Sequence, residues 1–285
     1  MDVLLCKPGD GVWRMRGRQS ERLDDTIAWP CVPCASAACM AICCLKNREC
    51  LCMERRTGGV ICRMPCVPGV CSMAFSECGR YLVQLSSEAD CIHTRCTATG
   101  ELLYAAPAGV FPRCMNLDQK GKLLLCAGGA APEARLFQVP DLKAVKTIHT
   151  PHPCFAADFW REGLLLVCAA EGEDIRTAVY TLPDRAVRPR MLTELPGPPG
   201  ALCVCPDGRT ALLSTRAGLS KLDLQTGNLL WNCPEWALCM RTECLNDHAL
   251  ISDTLDGGVW ICNHCRPWER QQIAAGAEAQ ACFLS

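Results

Sequence analysis

The chain has 285 residues, 49% of them hydrophobic, and its 29 Lys and Arg against 30 Asp and Glu leave a formal net charge of −1. That balance, with no long run of one sign, excludes the electrostatic footprint of a general nucleic-acid binder. No apolar run approaches the roughly 20 residues of a membrane-spanning helix, so neither nucleic acid nor membrane is expected as a partner.

The 26 cysteines are the unusual feature of the composition. In a short secreted chain such a density would imply a disulfide framework. Here the cysteines are scattered through apolar runs such as Leu124-Leu125-Cys126 and Leu166-Val167-Cys168. Reduced cysteine is a small, readily buried hydrophobe. The N-terminal stretch MDVLLCKPGDGVW carries Asp2 early and only a short apolar run, Val3–Cys6, so it does not read as a secretory signal. The expectation is a cytoplasmic chain that uses reduced cysteine as core filler.

In chain order, the N-terminal segment reads as three strands: Val3–Cys6, Val12–Arg16 and a third near Leu23–Ile27. From there the chain repeats. Gly79, Gly121, Gly163 and Gly208 mark one turn at intervals of 42, 42 and 45 residues, with Asn47 and Asp247 in the equivalent place at either end. A period of 40–45 residues is that of a β-propeller blade. A second turn recurs as Gly9-Asp10-Gly11-Val12-Trp13, Gly58-Gly59-Val60 and Asp256-Gly257-Gly258-Val259-Trp260. A third recurs as Thr99-Gly100, Pro140-Asp141, Pro183-Asp184 and Thr226-Gly227, all turn formers. The most regular copy is Pro199–Pro234, with four short runs separated by turn chemistry.

The spacing predicts an all-β, seven-bladed propeller as a single domain, 1–285. Whole blades fall near 38–68, 69–108, 109–150, 151–196, 197–234 and 235–275. The seventh is split: residues 278–285 supply an innermost strand to residues 1–28 and close the ring. The blade at 38–68 is expected to have three strands, because Met64–Gly69 is short and carries two prolines.

Asp207-Gly208-Arg209 before an apolar strand, followed by Asp223–Leu230, resembles the YVTN/YncE-like and WD40-like seven-bladed propellers of bacteria, and Asp223–Trp231 also looks like a pyrroloquinoline-quinone-type propeller repeat. The Gly-His and Trp-Asp pairs of WD40 repeats proper are absent. The resemblance implies a fold and no particular activity, because propellers host many functions. It does raise a lactonase-like hydrolase as one alternative.

Three groups of residues could carry chemistry. Cys31, Cys34, Cys39 and Cys44 have spacing akin to a zinc knuckle and are the runner-up metal ligands; no metal or cofactor is the preferred expectation. Cys262 and Cys265 form a C-x-x-C, placed at a third-to-fourth-strand turn on the opposite face from Cys31 and Cys34. Finally, each predicted innermost strand holds a cysteine, namely Cys39, Cys71, Cys114, Cys154, Cys203, Cys239 and Cys282, at both odd and even offsets from the turn. Mixed offsets point to opposite sheet faces, so the shared property is small size near the axis.

No catalytic residue is assigned: the five His lack ligand spacing, and no nucleophile-elbow or P-loop pattern occurs. The expectation is a monomeric, non-catalytic binding or scaffold module that engages a protein partner through loops on one face. On the face of the second–third turns and fourth–first connections the reading places Trp29, Arg55, Arg56, Glu171, Asp174, Arg216 and Trp236. Trp beside Arg is a composition typical of interface hot spots.

Overall fold

A computed structural model describes the chain apart from residues 1, 8–9, 18, 26–30, 110, 129–130, 162, 173, 185, 240, 253–257, 275–278 and 285, and apart from the side chain of Cys31. Seven four-stranded antiparallel sheets follow one another around a ring. Along the chain, β1 (Asp2–Lys7), β2 (Gly11–Arg16) and β3 (Gln19–Asp24) belong to blade one. Blade two is β4 (Cys31–Ala35), β5 (Cys39–Cys44), β6 (Glu49–Glu54) and β7 (Val60–Pro65). Blade three is β8 (Val70–Phe75), β9 (Tyr81–Ser86), β10 (Cys91–Cys96) and β11 (Leu102–Pro107). Blade four is β12 (Pro112–Leu117), β13 (Leu123–Gly128), β14 (Glu133–Gln138) and β15 (Ala144–His149). Blade five is β16 (Cys154–Trp160), β17 (Gly163–Ala170), β18 (Arg176–Pro183) and β19 (Arg190–Pro196). Blade six is β20 (Pro199–Val204), β21 (Thr210–Thr215), β22 (Gly218–Asp223) and β23 (Leu229–Cys233). After a single 3-10 turn, Pro234–Trp236, blade seven is β24 (Arg241–Leu245), β25 (His248–Ser252), β26 (Val259–Asn263) and β27 (Arg266–Ala274).

The last strand, β28 (Gln280–Leu284), pairs with β1, with Leu4 opposite Cys282. It is the innermost strand of blade one, whose order is β28-β1-β2-β3. The innermost strands touch in the order β28, β4, β8, β12, β16, β20, β24 and back to β28. The split blade therefore closes the ring as the sequence implies. No helix among the described residues is long and apolar enough to cross a membrane.

Burial follows radial position. The second strand of each blade, for example β5, β9 or β21, is buried almost throughout, whereas the fourth strands β7, β11 and β15 are mostly exposed. Second strands read as continuous apolar runs because neighbouring blades cover both of their faces. The core is accordingly divided into seven clusters, one per blade–blade interface; Leu4, Met40, Ile42 and Cys282, for instance, join blades one and two.

Blade two corrects the expectation of three strands. Its innermost strand is Cys31–Ala35, with Pro33 opposite Ile42, and its outermost is Val60–Pro65. Pro33 is tolerated because an innermost strand is hydrogen-bonded on one side only, so a missing N–H need not break a ladder. Every turn in this blade is thereby displaced by one strand from the sequence reading: Asn47 lies between the second and third strands, and Gly58-Gly59 between the third and fourth.

Closure is reinforced near the axis. The Arg241 guanidinium donates to the Pro33 carbonyl at 2.7 Å and pairs with Glu243, while the other Glu243 oxygen accepts the Phe283 N–H at 2.9 Å. One half-buried ion pair thus ties β24, β28 and β4. At the end of the innermost strand β28, Arg55 donates to the Leu284 carbonyl at 3.0 Å, and it also donates to that of Ala37 at 3.3 Å.

Candidate functional site

Alternating strands put the first–second and third–fourth turns on one face of the disc, called here the upper face. The second–third turns and fourth–first connections lie on the lower face. A cavity of about 880 Å³ opens among the upper-face turns of blades four, five and six. Its origin is a difference in turn length. Blade five turns between Trp160 and Gly163, whereas blade four runs from Leu117 to Leu123 and blade six from Val204 to Thr210 before pairing resumes. The long turns form walls on either side of the short one.

Carboxylates hold those walls in shape. Asp118 Oδ1 accepts the N–H groups of Lys122 and Leu123 at 2.7 and 2.9 Å. Gly121 completes the turn at a φ of 59°, and a Cβ there would stand 2.6 Å from the Glu77 nitrogen. Asp207 repeats the device, with Oδ1 accepting from Arg209 and Thr210 and Oδ2 accepting from the Thr210 hydroxyl. Burial alone would raise the Asp207 carboxyl, but these donors outweigh it and hold its pKa below the ordinary value.

Asp158 crosses between blades. Its Oδ1 accepts the Phe159 N–H at 2.8 Å and its Oδ2 the Val204 N–H at 2.9 Å. Burial dominates here and pushes the carboxyl up to about 6, against the pull of the two N–H donors. Phe159 and Trp160 add aromatic surface to the lining. At the mouth, Lys120, Lys146 and Arg161 are exposed and make no ion pair with a described residue. The recess therefore offers aromatic and aliphatic surface within and, among its exposed lining residues, three cations without a described ion pair beside the carboxylate of Asp184.

The residues singled out from sequence do not form one surface. Glu171 and Asp174, between β17 and β18, and Arg216, between β21 and β22, are exposed on the lower face. Arg55 and Arg56 lie between β6 and β7, hence on the upper face, because the turns of blade two are displaced. Arg55 is engaged in ring closure, and the carbonyls of Arg55 and Arg56 accept from Arg14 at 2.6 and 3.2 Å. Trp236 is 2% exposed and caps the core between blades six and seven, with the Arg270 guanidinium 5.1 Å from its ring centre. Trp29 lies outside the described residues.

The zinc-knuckle alternative fails on geometry. Cys39 and Cys44 stand at the two ends of β5, five residues or about 17 Å apart. Odd spacing also sends them to opposite sheet faces: Cys39 packs with Cys34 between blades two and three. Tetrahedral zinc needs all its thiolates about 2.3 Å from one point. Cys34 lies in the innermost strand β4, not on a fourth–first connection.

The innermost strand holds Cys31 and Cys34 in blade two and Cys244 in blade seven. Cys39 falls on the second strand, and Cys239 precedes the first. Cys71, Cys114, Cys154, Cys203 and Cys282 lie on innermost strands as expected. The thiols are chiefly packing groups. Cys34, Cys39, Cys43, Cys50, Cys52 and Cys66 share the core between blades two and three, and burial pushes thiols such as Cys52 and Cys114 up to about 12. Cys262 is buried on β26 while Cys265 is exposed on the turn that follows, so the C-x-x-C is split between core and surface.

The cavity had a trace in the sequence. Asp118-Gln-Lys-Gly121 and Asp207-Gly208 are alike, while Trp160-Arg-Glu-Gly163 has no turn-capping acid. Turn signals alone do not reveal that one short turn between two long ones leaves a recess.

Fold and site together define a seven-bladed β-propeller with a recess on its upper face. The chain matches no protein-family model and no curated protein.

Proposed function

We propose that the chain is a non-catalytic binding module, working in a reducing compartment, which recognises a protein partner through the upper-face cavity of blades four to six. The observation that carries this reading is the recess itself: about 880 Å³ on the propeller ring, with Phe159 and Trp160 in its lining and, at its edge, Lys120, Lys146 and Arg161, which pair with no described carboxylate. Apolar surface with a few polar groups is the usual make-up of a binding recess, and aromatics beside cations suit an acidic or aromatic segment. A hydrolase of the lactonase type is less well supported. Asp118, Asp158 and Asp207 spend their oxygens on backbone N–H groups of the turns instead of converging on one point.

The test compares two variants in proximity crosslinking from the native cell. The triple variant Lys120→Glu, Lys146→Glu, Arg161→Glu is expected to lose at least tenfold of the crosslinked partner, whereas Arg216→Glu on the lower face is expected to retain it. An unchanged partner set in the triple variant, or loss in Arg216→Glu alone, overturns the reading.

A further inference from the structure

Away from the cavity, blades six and seven bring together a thiol, an imidazole and an ammonium. Lys221 on β22 is 5% exposed, and no described carboxylate lies within ion-pair distance of it. Its Nζ stands 2.9 Å from His264 Nδ1 and 3.6 Å from Cys265 Sγ. His264 is itself 4% exposed, and its Nε2 lies 2.8 Å from the Asn246 carbonyl oxygen. A carbonyl can only accept, so Nε2 carries the proton and Nδ1 is left as the acceptor of a Lys221 N–H. Cys265 Sγ lies 3.7 Å from the same Nδ1.

The thiol is exposed at the tip of the β26–β27 turn. Asn263 Oδ1 fixes that turn by accepting the N–H groups of Cys265 and Arg266 at 2.9 and 3.2 Å. The Trp231 indole donates to the His264 carbonyl at 3.2 Å from the neighbouring blade. An exposed sulfur is thus held against a buried cation by elements of two blades. Burying an ammonium with no carboxylate in direct contact is expensive, and the Asp207 carboxylate acts on Lys221 only from beyond ion-pair distance. Negative charge on sulfur, or on a group leaving an electrophile that sulfur attacks, would be met by that cation in a partly desolvated setting.

We propose that Cys265 is a modification site for hydroperoxide-class oxidants, with Lys221 as the residue that positions and stabilises the reacting atoms. Sγ attacks one peroxide oxygen and the O–O bond breaks. The departing hydroxide takes a proton from the Lys221 ammonium and leaves as water. The thiol proton restores the ammonium through solvent or His264 Nδ1. Sulfur is oxidised by two electrons and the peroxide is reduced, giving Cys265 sulfenic acid and one water from one thiol and one hydrogen peroxide. The site lies outside the cavity lining, although Lys221 also acts electrostatically on Asp207 in the cavity wall.

The experiment exposes the reduced full chain to limiting hydrogen peroxide with dimedone and follows each cysteine by mass spectrometry. The references are the hexapeptide Asn263–Trp268, which holds the same thiol without Lys221, and Cys78, the internal standard for oxidant delivery. Cys265 is expected to form sulfenic acid at least tenfold faster in the folded chain than in the peptide. Lys221→Met is expected to slow it about tenfold while changing Cys78 less than twofold. A folded-chain rate within twofold of the peptide overturns the proposal. So does a Lys221→Met variant that keeps the wild-type rate at Cys265. If Lys221→Met fails to fold, recognised by labelling of the buried Cys50, the peptide comparison on the wild-type chain decides.

Discussion

Asp158→Asn should change how stability depends on pH. In the folded chain burial raises the Asp158 carboxyl from its ordinary value of 3.8 to about 6, although the N–H groups of Val204 and Phe159 pull it down. A displacement of that size is worth about 3 kcal/mol between the two protonation states. Below about pH 3 the group is protonated whether the chain is folded or unfolded, and it makes no difference to stability. Between about 4 and 6 the unfolded chain releases the proton while the folded chain keeps it. Unfolding becomes easier as pH rises through this window, and above 6 the full penalty is present. Asparagine does not titrate. The free energy of urea unfolding, followed by tryptophan fluorescence under reductant, should therefore fall by about 3 kcal/mol more for wild type than for Asp158→Asn between pH 3 and pH 7. Taking the difference between the two proteins cancels the titration of every other group. A difference that stays flat within about 0.5 kcal/mol across this range refutes the assignment of a buried, proton-holding carboxyl to this wall.

Two further substitutions test the ring and its thiols. Arg241→Ala removes the donor to Pro33 and leaves Glu243 without its cation beside the Phe283 N–H; it should cost about 2 kcal/mol by urea unfolding, and a loss under 0.5 kcal/mol would show that the axial tie is dispensable. Cys126 is 1% exposed between blades three and four; Cys126→Ser should cost about 2 kcal/mol, and more than Cys126→Ala, because a hydroxyl is buried where a thiol behaves as a hydrophobe, and thermal unfolding that ranks Ser above Ala would contradict this.

The blade count and the split closure were legible because they rest on local turn chemistry. Gly79, Gly121 and Gly208 occupy positions of positive φ, and each sits in the first–second turn of its blade. Blade two was misread for an equally local reason. Cys31-Val-Pro-Cys34 carries a proline, which argues against a strand anywhere except at a sheet edge, and the innermost strand of a blade is such an edge. Placing Gly58-Gly59 one turn too early then moved Arg55 and Arg56 to the wrong face. The cavity depends on the relative lengths of turns in three blades, and the Lys221–His264–Cys265 group on a strand and a turn 43 residues apart. Lys221 within Gly218–Asp223 reads in sequence as an ordinary polar strand residue. Only the stacking of blade six on blade seven turns it toward His264.

Pairing of β28 with β1 also sets a schedule for synthesis. Roughly 270 residues separate Lys7 from Gln280, which at about 5–20 residues per second is on the order of 15–60 s on the ribosome. Throughout that interval β1, an apolar strand reading Asp2-Val-Leu-Leu-Cys-Lys7, has no partner on its axial side. Such an edge invites pairing with another chain. A nascent molecule is thus vulnerable to association at β1 until β28 has been made.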